Sequence, residues 1–182
     1  MQDFDSAQVF AYENYKKNKD NLYSMQAYFD CLTELKERTF QQSKDINDIL
    51  ASVKRQHNVT PTPFYYQIMA KHEAFIEGDK DEAIRYIREG IQKFSHSMYL
   101  VRDKFDIYKK YNDIMGMREA IEELNSCVRD LAYKGAYVSR KALLDLYEGK
   151  STNSVCAFLR EQGGFSERNI SNILKKANKL EI

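Results

Sequence analysis

Glycine and proline are scarce in this chain, at 7 and 2 of 182 residues, and tryptophan is absent. So few glycines and prolines exclude collagen-like and flexible-linker sequences and argue against a turn-rich all-β domain. Cysteine is as sparse: Cys31, Cys127 and Cys156 are odd in number and widely spaced. A secreted disulfide framework needs an even set and a zinc site needs a short-spaced pair such as CxxC, so both classes fall away. The thiols are expected to be reduced and to pack as small hydrophobes, which favours a reducing compartment. No window reaches the roughly 18 apolar residues that would cross a bilayer. Met1-Gln2-Asp3-Phe4-Asp5 places acids where a secretory signal carries bases. The expectation is a soluble, cytoplasmic protein with no membrane partner.

An excess of one charge is missing as well, with Lys+Arg 28 against Asp+Glu 27 and a net charge of +1. By segment the balance is −1 over residues 1–60, −2 over 61–133 and +4 over 134–182. The composition, 30% charged and 43% hydrophobic, is not that of a disordered chain.

What the sequence does contain is helical periodicity. Leu22, Met25, Phe29, Leu32, Leu35 and Phe40 step mostly by three or four residues, as do Phe64, Ile68, Phe75 and Ile76. The pattern returns in 82–94 (Ala83, Ile84, Ile87, Ile91, Phe94), in 99–111 and in 118–133, and strict two-residue alternation is absent. Helices are predicted over about 5–17, 21–40 and 44–57, the last capped by Ser43 or Asp45. Thr60-Pro61-Thr62-Pro63 must be extended or turned. Gly78-Asp79 and Asn112-Asp113 read as helix stops followed by acidic caps. Beyond Gly135, three shorter patterns follow over about 137–148, 152–162 and 166–179, joined at Gly149 and Gly163-Gly164. The fold class is all-α, with roughly nine helices. The expected domains are a helical array over 1–135 and a C-terminal helical region over 136–182 packed on it.

Glu82-Ala83-Ile84 recurs as Glu119-Ala120-Ile121, 37 residues later. Around each copy runs an amphipathic helix, a short turn and a helix opening with an acid and a small residue. Ala83 and Gly90, and Ala120 and Cys127, are seven apart, which puts each pair on one helical face where a second helix can approach closely. Over residues 61–133, and with a degenerate unit from 21, this layout resembles the tetratricopeptide repeat. The chain departs from that family in its lack of Trp, in Lys71 where the first helix carries a small residue, and in the missing terminal Pro of both clear units. The resemblance implies antiparallel helical hairpins stacked as a short right-handed solenoid with a C-terminal helical cap. It also implies a concave face, lined by each unit's first helix, that binds an extended peptide or a helix. In this register Tyr65, Ile68, His72 and Phe75 line it in one unit, and Arg102, Phe105, Lys109 and Asn112 in the next. The cations among them suit a carboxylate or an acidic segment.

Gly164-Phe165-Ser166-Glu167-Arg168-Asn169-Ile170-Ser171-Asn172-Ile173-Leu174, within residues 152–176, resembles the turn and second helix of a DNA-reading helix-turn-helix. Ser166 is the expected cap. On that resemblance Arg168, Asn169 and Asn172 face the groove with Glu167, and Lys175, Lys176 and Lys179 lie near phosphate. Arg160 stands where the family has a small residue, and Gly163 lengthens the turn. The other reading of this hairpin is a cap that closes the helical array with a polar outer face.

Enzyme signatures are missing. His72-Glu73 begins like a zinc-protease helix, but Ile76 occupies the second ligand position. There is no Gly-rich phosphate loop and no Gly-x-Ser-x-Gly elbow, and Asp79 and Asp81 lack the remaining ligands of a calcium loop. No catalytic residue, metal or cofactor is assigned. The sequence reading is a non-enzymatic adaptor, chaperone or regulator that binds a protein or peptide, an acidic one suiting the cations of the concave face. The alternative is a nucleic-acid-binding regulator using Arg168, Asn169, Asn172, Lys175 and Lys176.

Overall fold

The computed structural model describes residues 2–95, 97–127 and 134–178. Ten α-helices make up almost all of it, and the described residues contain no strand. In chain order they are α1 (Gln2–Lys17), α2 (Leu22–Thr33), α3 (Phe40–Val59), α4 (Pro63–His72) and α5 (Lys80–Lys93), then α6 (Met98–Lys110), α7 (Ile114–Cys127), α8 (Lys134–Tyr147), α9 (Thr152–Gly163) and α10 (Glu167–Asn178). A single π turn, Glu73–Glu77, follows α4 directly. The residues group into two compact units, Met1–Ser95 and His96–Ile182.

Local chemistry sets most of the boundaries. Asn21 caps α2 by accepting the Ser24 N–H, and Pro63 takes the first position of α4, where its missing N–H costs nothing. Gly78 stops the π turn in the left-handed region at φ 82°, and Asp79 caps α5 by accepting the Glu82 N–H at 2.9 Å. Asn112 plays the same left-handed role after α6 at φ 53°, and Asp113 accepts the Gly116 N–H at 2.9 Å. The stops and caps at Gly78-Asp79 and Asn112-Asp113 are the ones the sequence predicts, whereas Pro63, read as extended or turned, begins α4.

Three boundaries differ. The apolar steps through Leu35 and Phe40 suggest one helix over 21–40, yet α2 ends at Thr33 and α3 begins at Phe40. The reason is a capping box: Thr39 accepts the Gln42 N–H at 3.2 Å, and the Gln42 side chain accepts the Thr39 N–H at 2.8 Å. Neither Ser43 nor Asp45 is therefore the cap. Asp45 is buried instead, accepting the Tyr28 hydroxyl at 3.0 Å and the Gln41 amide at 2.8 Å. The helix predicted from 118 starts at Ile114, because Asp113 already satisfies its first turn. The end of that prediction, 128–133, lies outside the described residues, as do His96 and Lys179.

In the first unit α1 packs on α2, α2 on α3 and α4, and α4 folds back along α5. Met25, Phe29, Leu32, Ile49, Val53 and Ile68 form its core, each essentially inaccessible to water. In the second unit α6 folds back along α7, α7 packs on α8, and α8 carries both α9 and α10. Leu100, Phe105, Ile107, Met117, Ala120, Leu124, Val138 and Leu159 are buried there.

Candidate interaction surfaces

Each copy of Glu-Ala-Ile lies on the second helix of a hairpin, in the first turn of α5 in the first unit and in the second turn of α7 in the second. Ala83 and Ala120 are fully buried, so the missing side-chain bulk is spent on close helix packing. Glu82 and Glu119 have different neighbours. Glu82 pairs with Arg85 on its own helix, and Arg85 also takes Glu89. Glu119 reaches across to Lys104 at 2.7 Å, and Glu123 holds the same ammonium at 2.7 Å.

The residues assigned to a binding face in the first unit are not equally placed. Tyr65 is half-buried in an aromatic cluster, stacked on His57 with ring centroids 4.2 Å apart and edge-on to Tyr66 at 5.0 Å. Burial and the neighbouring Tyr86 push its phenol pKa above the ordinary value. His72 is half-buried between two carboxylates, with Nδ1 3.2 Å from Glu73 and Nε2 3.4 Å from Glu77. Phe75 is half-buried within the π turn, and Ile68 is fully buried. Tyr65, His72 and Phe75 therefore keep accessible area, while Ile68 belongs to the core.

In the second unit Arg102 lies over the Tyr99 ring at 5.4 Å, Lys109 is half-buried and Asn112 is exposed. Phe105 is 0% exposed, so it packs the core and offers no surface to a partner. The face that carries Arg102 and Lys109 also carries Asp106, which accepts from Arg140 of α8 at 2.5 Å. This acid, with Asp103 3.8 Å from Arg102, tempers the positive field expected along α6.

Sequence reasoning missed Lys104, whose side chain is only 2% exposed. Burial lowers its pKa and the two carboxylates raise it more, so the net direction is upward and the charge is kept. A lysine ordinarily reads as surface, and only the facing glutamates of α7 reveal otherwise.

The C-terminal helices place their candidates more simply. Ile170 and Ile173 are buried, and α10 packs through them on α8. Ser166 accepts the Asn169 N–H at 3.4 Å, so the expected cap forms. Arg160, the departure from the helix-turn-helix pattern, is exposed and grips Glu167 at 2.7 and 3.1 Å. Arg168, Asn169, Asn172, Lys175 and Lys176 are all exposed. Arg168, Asn172 and Lys175 stand four and three residues apart on the side opposite Ile170 and Ile173. Among the described residues no acid pairs with Arg168, Lys175 or Lys176.

Cys31, Cys127 and Cys156 are half-buried free thiols, and burial raises the pKa of Cys31. Among the described residues no group of three His, Cys, Asp or Glu side chains is arranged to hold a metal ion, and no helix is long and apolar enough to cross a membrane. Comparison with protein-family models, with curated proteins and with solved structures finds no significant match to this chain.

Proposed function

We propose that this chain is a non-enzymatic interaction module of the tetratricopeptide-like kind, working in the cytoplasm by holding a peptide or helix of a partner protein. The observation that carries the reading is the matched pair of hairpins. In both, Glu-Ala-Ile lies on the second helix, in the first turn of α5 and in the second turn of α7, and its Ala is fully buried. The solenoid implied by the tetratricopeptide resemblance is part of this reading. Such hairpins bury one face of each helix and leave another for recognition, with half-buried aromatics as anchors and charges for selectivity. Tyr65, His72 and Phe75 supply such a face in the first hairpin, and Arg102, Lys109 and Asn112 in the second.

The test is capture of partners from the native host by the immobilised full chain. Arg102→Glu with Lys109→Glu is expected to abolish capture while helicity and melting temperature stay unchanged. Capture that survives the double change removes α6 from the binding face.

A second reading is supported by one observation on α10: the stripe of unpaired cations opposite its buried face. It is a nucleic-acid-binding regulator in which those cations contact phosphate. Binding to a labelled duplex should then weaken steeply with salt. Arg168→Ala with Lys175→Ala should lower the logarithmic salt slope by about two. No measurable affinity for the duplex at low salt would leave the hairpin as a cap.

A further inference from the structure

Two cavities of the first unit adjoin along α3 and share Arg55. One, of about 490 Å³, is lined by Leu22, Val53, Gln56, Val59 and Phe64 with Thr60 and Thr62. Its floor is apolar, since Val53 and Phe64 are buried, and Val59 on its rim is 84% exposed. The other, of about 430 Å³, is lined by Tyr15, Lys19, Asp20, Asp48 and Ser52. Together they follow α3 from Asp48 to Thr60, a length of about 18 Å at 1.5 Å per residue. Gln56 ties the α1–α2 turn to this wall by donating to the Asp20 carbonyl at 3.2 Å.

The charges of the trough are not consumed within the fold. Among the described residues Lys19, Asp20, Asp48 and Arg55 form no ion pair within 4 Å. All four are exposed. Asp48 precedes Arg55 by seven positions, two turns on one side of the helix and about 10 Å along it. The order along α3 is therefore acid, base, apolar socket.

We propose that this trough docks a segment of a partner protein whose own side chains run in the complementary order: basic against Asp48, acidic against Arg55, apolar into the socket of Leu22, Val53, Val59 and Phe64. The proposal rests on the interaction reading above and names a site for it that the sequence did not. The apolar socket supplies contact area, and the two opposite charges set the register and direction of the segment. An exposed valine beside a buried apolar floor is the kind of surface whose covering releases water.

The experiment is fluorescence anisotropy of the full chain against an array of labelled helical peptides of about 12 residues, a length that matches the trough. Each peptide carries two leucines, one glutamate and one lysine on a single face, and the array permutes their order on an otherwise alanine–glutamine background. Peptides with the glutamate between the leucines and the lysine, read in either chain direction, are expected to bind. Permuted ones should bind at least about tenfold more weakly, the scale of a lost anchor. Arg55→Glu and Val59→Asp, both at exposed positions, should each weaken the best peptide by about the same factor. Replacing the peptide's glutamate by lysine should restore binding to the Arg55→Glu protein, which an unfolded variant cannot mimic. Equal binding of all permutations, or no loss in either variant, overturns the trough. Host-partner capture by the wild-type chain that persists in both variants overturns the trough and leaves the interaction reading standing. Failure of wild-type capture beside order-dependent peptide binding does the reverse.

Discussion

Lys104 shows how a single residue is held against its own solvation preference. Its side chain is 2% exposed, whereas those of Glu119 and Glu123 are 50% and 39% exposed. Removing the lysine leaves carboxylates that can turn to water, so Lys104→Met, close in volume, is expected to cost no more than about 1.5 kcal/mol. Removing both glutamates strands a buried ammonium, and Glu119→Ala with Glu123→Ala is expected to cost about 3–5 kcal/mol. Urea unfolding of the two proteins checks the asymmetry, and a larger loss for Lys104→Met would contradict it.

His57 makes the opposite demand on protonation. It accepts the Thr62 N–H at Nδ1 at 3.3 Å and is stacked on Tyr65, so a second ring proton would break the first contact. Burial, then the nearby Lys93 charge, lowers its pKa in the folded chain. The unfolded chain, with an ordinary value of about 6.5, binds the proton more readily. The histidine's contribution to stability is thus present above that pH and is lost as pH falls through the lower folded value. Midpoints of urea unfolding between about pH 7.5 and 5.5 should fall in the wild type, with a shallower fall in His57→Gln. Equal slopes would show that the ring titrates freely.

At the scale of elements, two glycines do different work. Gly78 takes φ 82° in open space, where a Cβ would meet nothing within 4 Å. Gly78→Ala therefore pays only the left-handed penalty, about 1–2 kcal/mol. Gly116 lies inside α7, and a Cβ there would sit 2.3 Å from the Tyr108 ring of α6. The gain of about 1 kcal/mol in helix propensity is then set against displacement of a buried ring. Gly116→Ala is expected to be net destabilising by about 1–2 kcal/mol, and Tyr108→Leu should relieve the overlap. A double-mutant cycle by thermal or urea unfolding should show coupling of at least about 0.5 kcal/mol, and strict additivity would refute the contact.

The elements also show how far local signals reach. Gly78-Asp79, Asn112-Asp113 and Ser166 were readable because each acts on backbone groups within a few residues of itself. The break between α2 and α3 was read too late, at 41–43, because Leu35 and Phe40 continue the apolar spacing across it. Phe40 proves to be 87% exposed, so its place in that series was coincidental. Thr39 and Gln42 carried the true signal, a Thr followed by Gln at the capping-box spacing, and it outweighs the periodicity because it satisfies two N–H groups at once.

For the whole molecule, the division after Ser95 has a direct consequence. The first unit encloses its own core, built from α1 to α4 and extended by the buried Ala83, Ile84 and Ile87 of α5. Residues 1–95 expressed alone are expected to fold, with cooperative urea unfolding and a slope of about 1 kcal/mol/M, as suits a small domain. A broad, non-cooperative transition would mean that the core is incomplete without residues 96–182.

The helical class, the scarcity of turns, the two Glu-Ala-Ile hairpins and most caps follow from the amino-acid order, because periodicity and capping act over three or four residues. The face that each helix buries does not follow. Phe105 and Ile68 sit on the stripes read as binding faces, yet both are fully buried, Ile68 on an α4 packed against α2, α3 and α5, and Phe105 on an α6 that folds back along α7. Lys104 is hidden by glutamates 15 and 19 residues away, and the trough along α3 is closed by side chains from Tyr15 to Phe64. Burial is a property of neighbours brought together by the chain's return, and only the tertiary structure decides which residues those are.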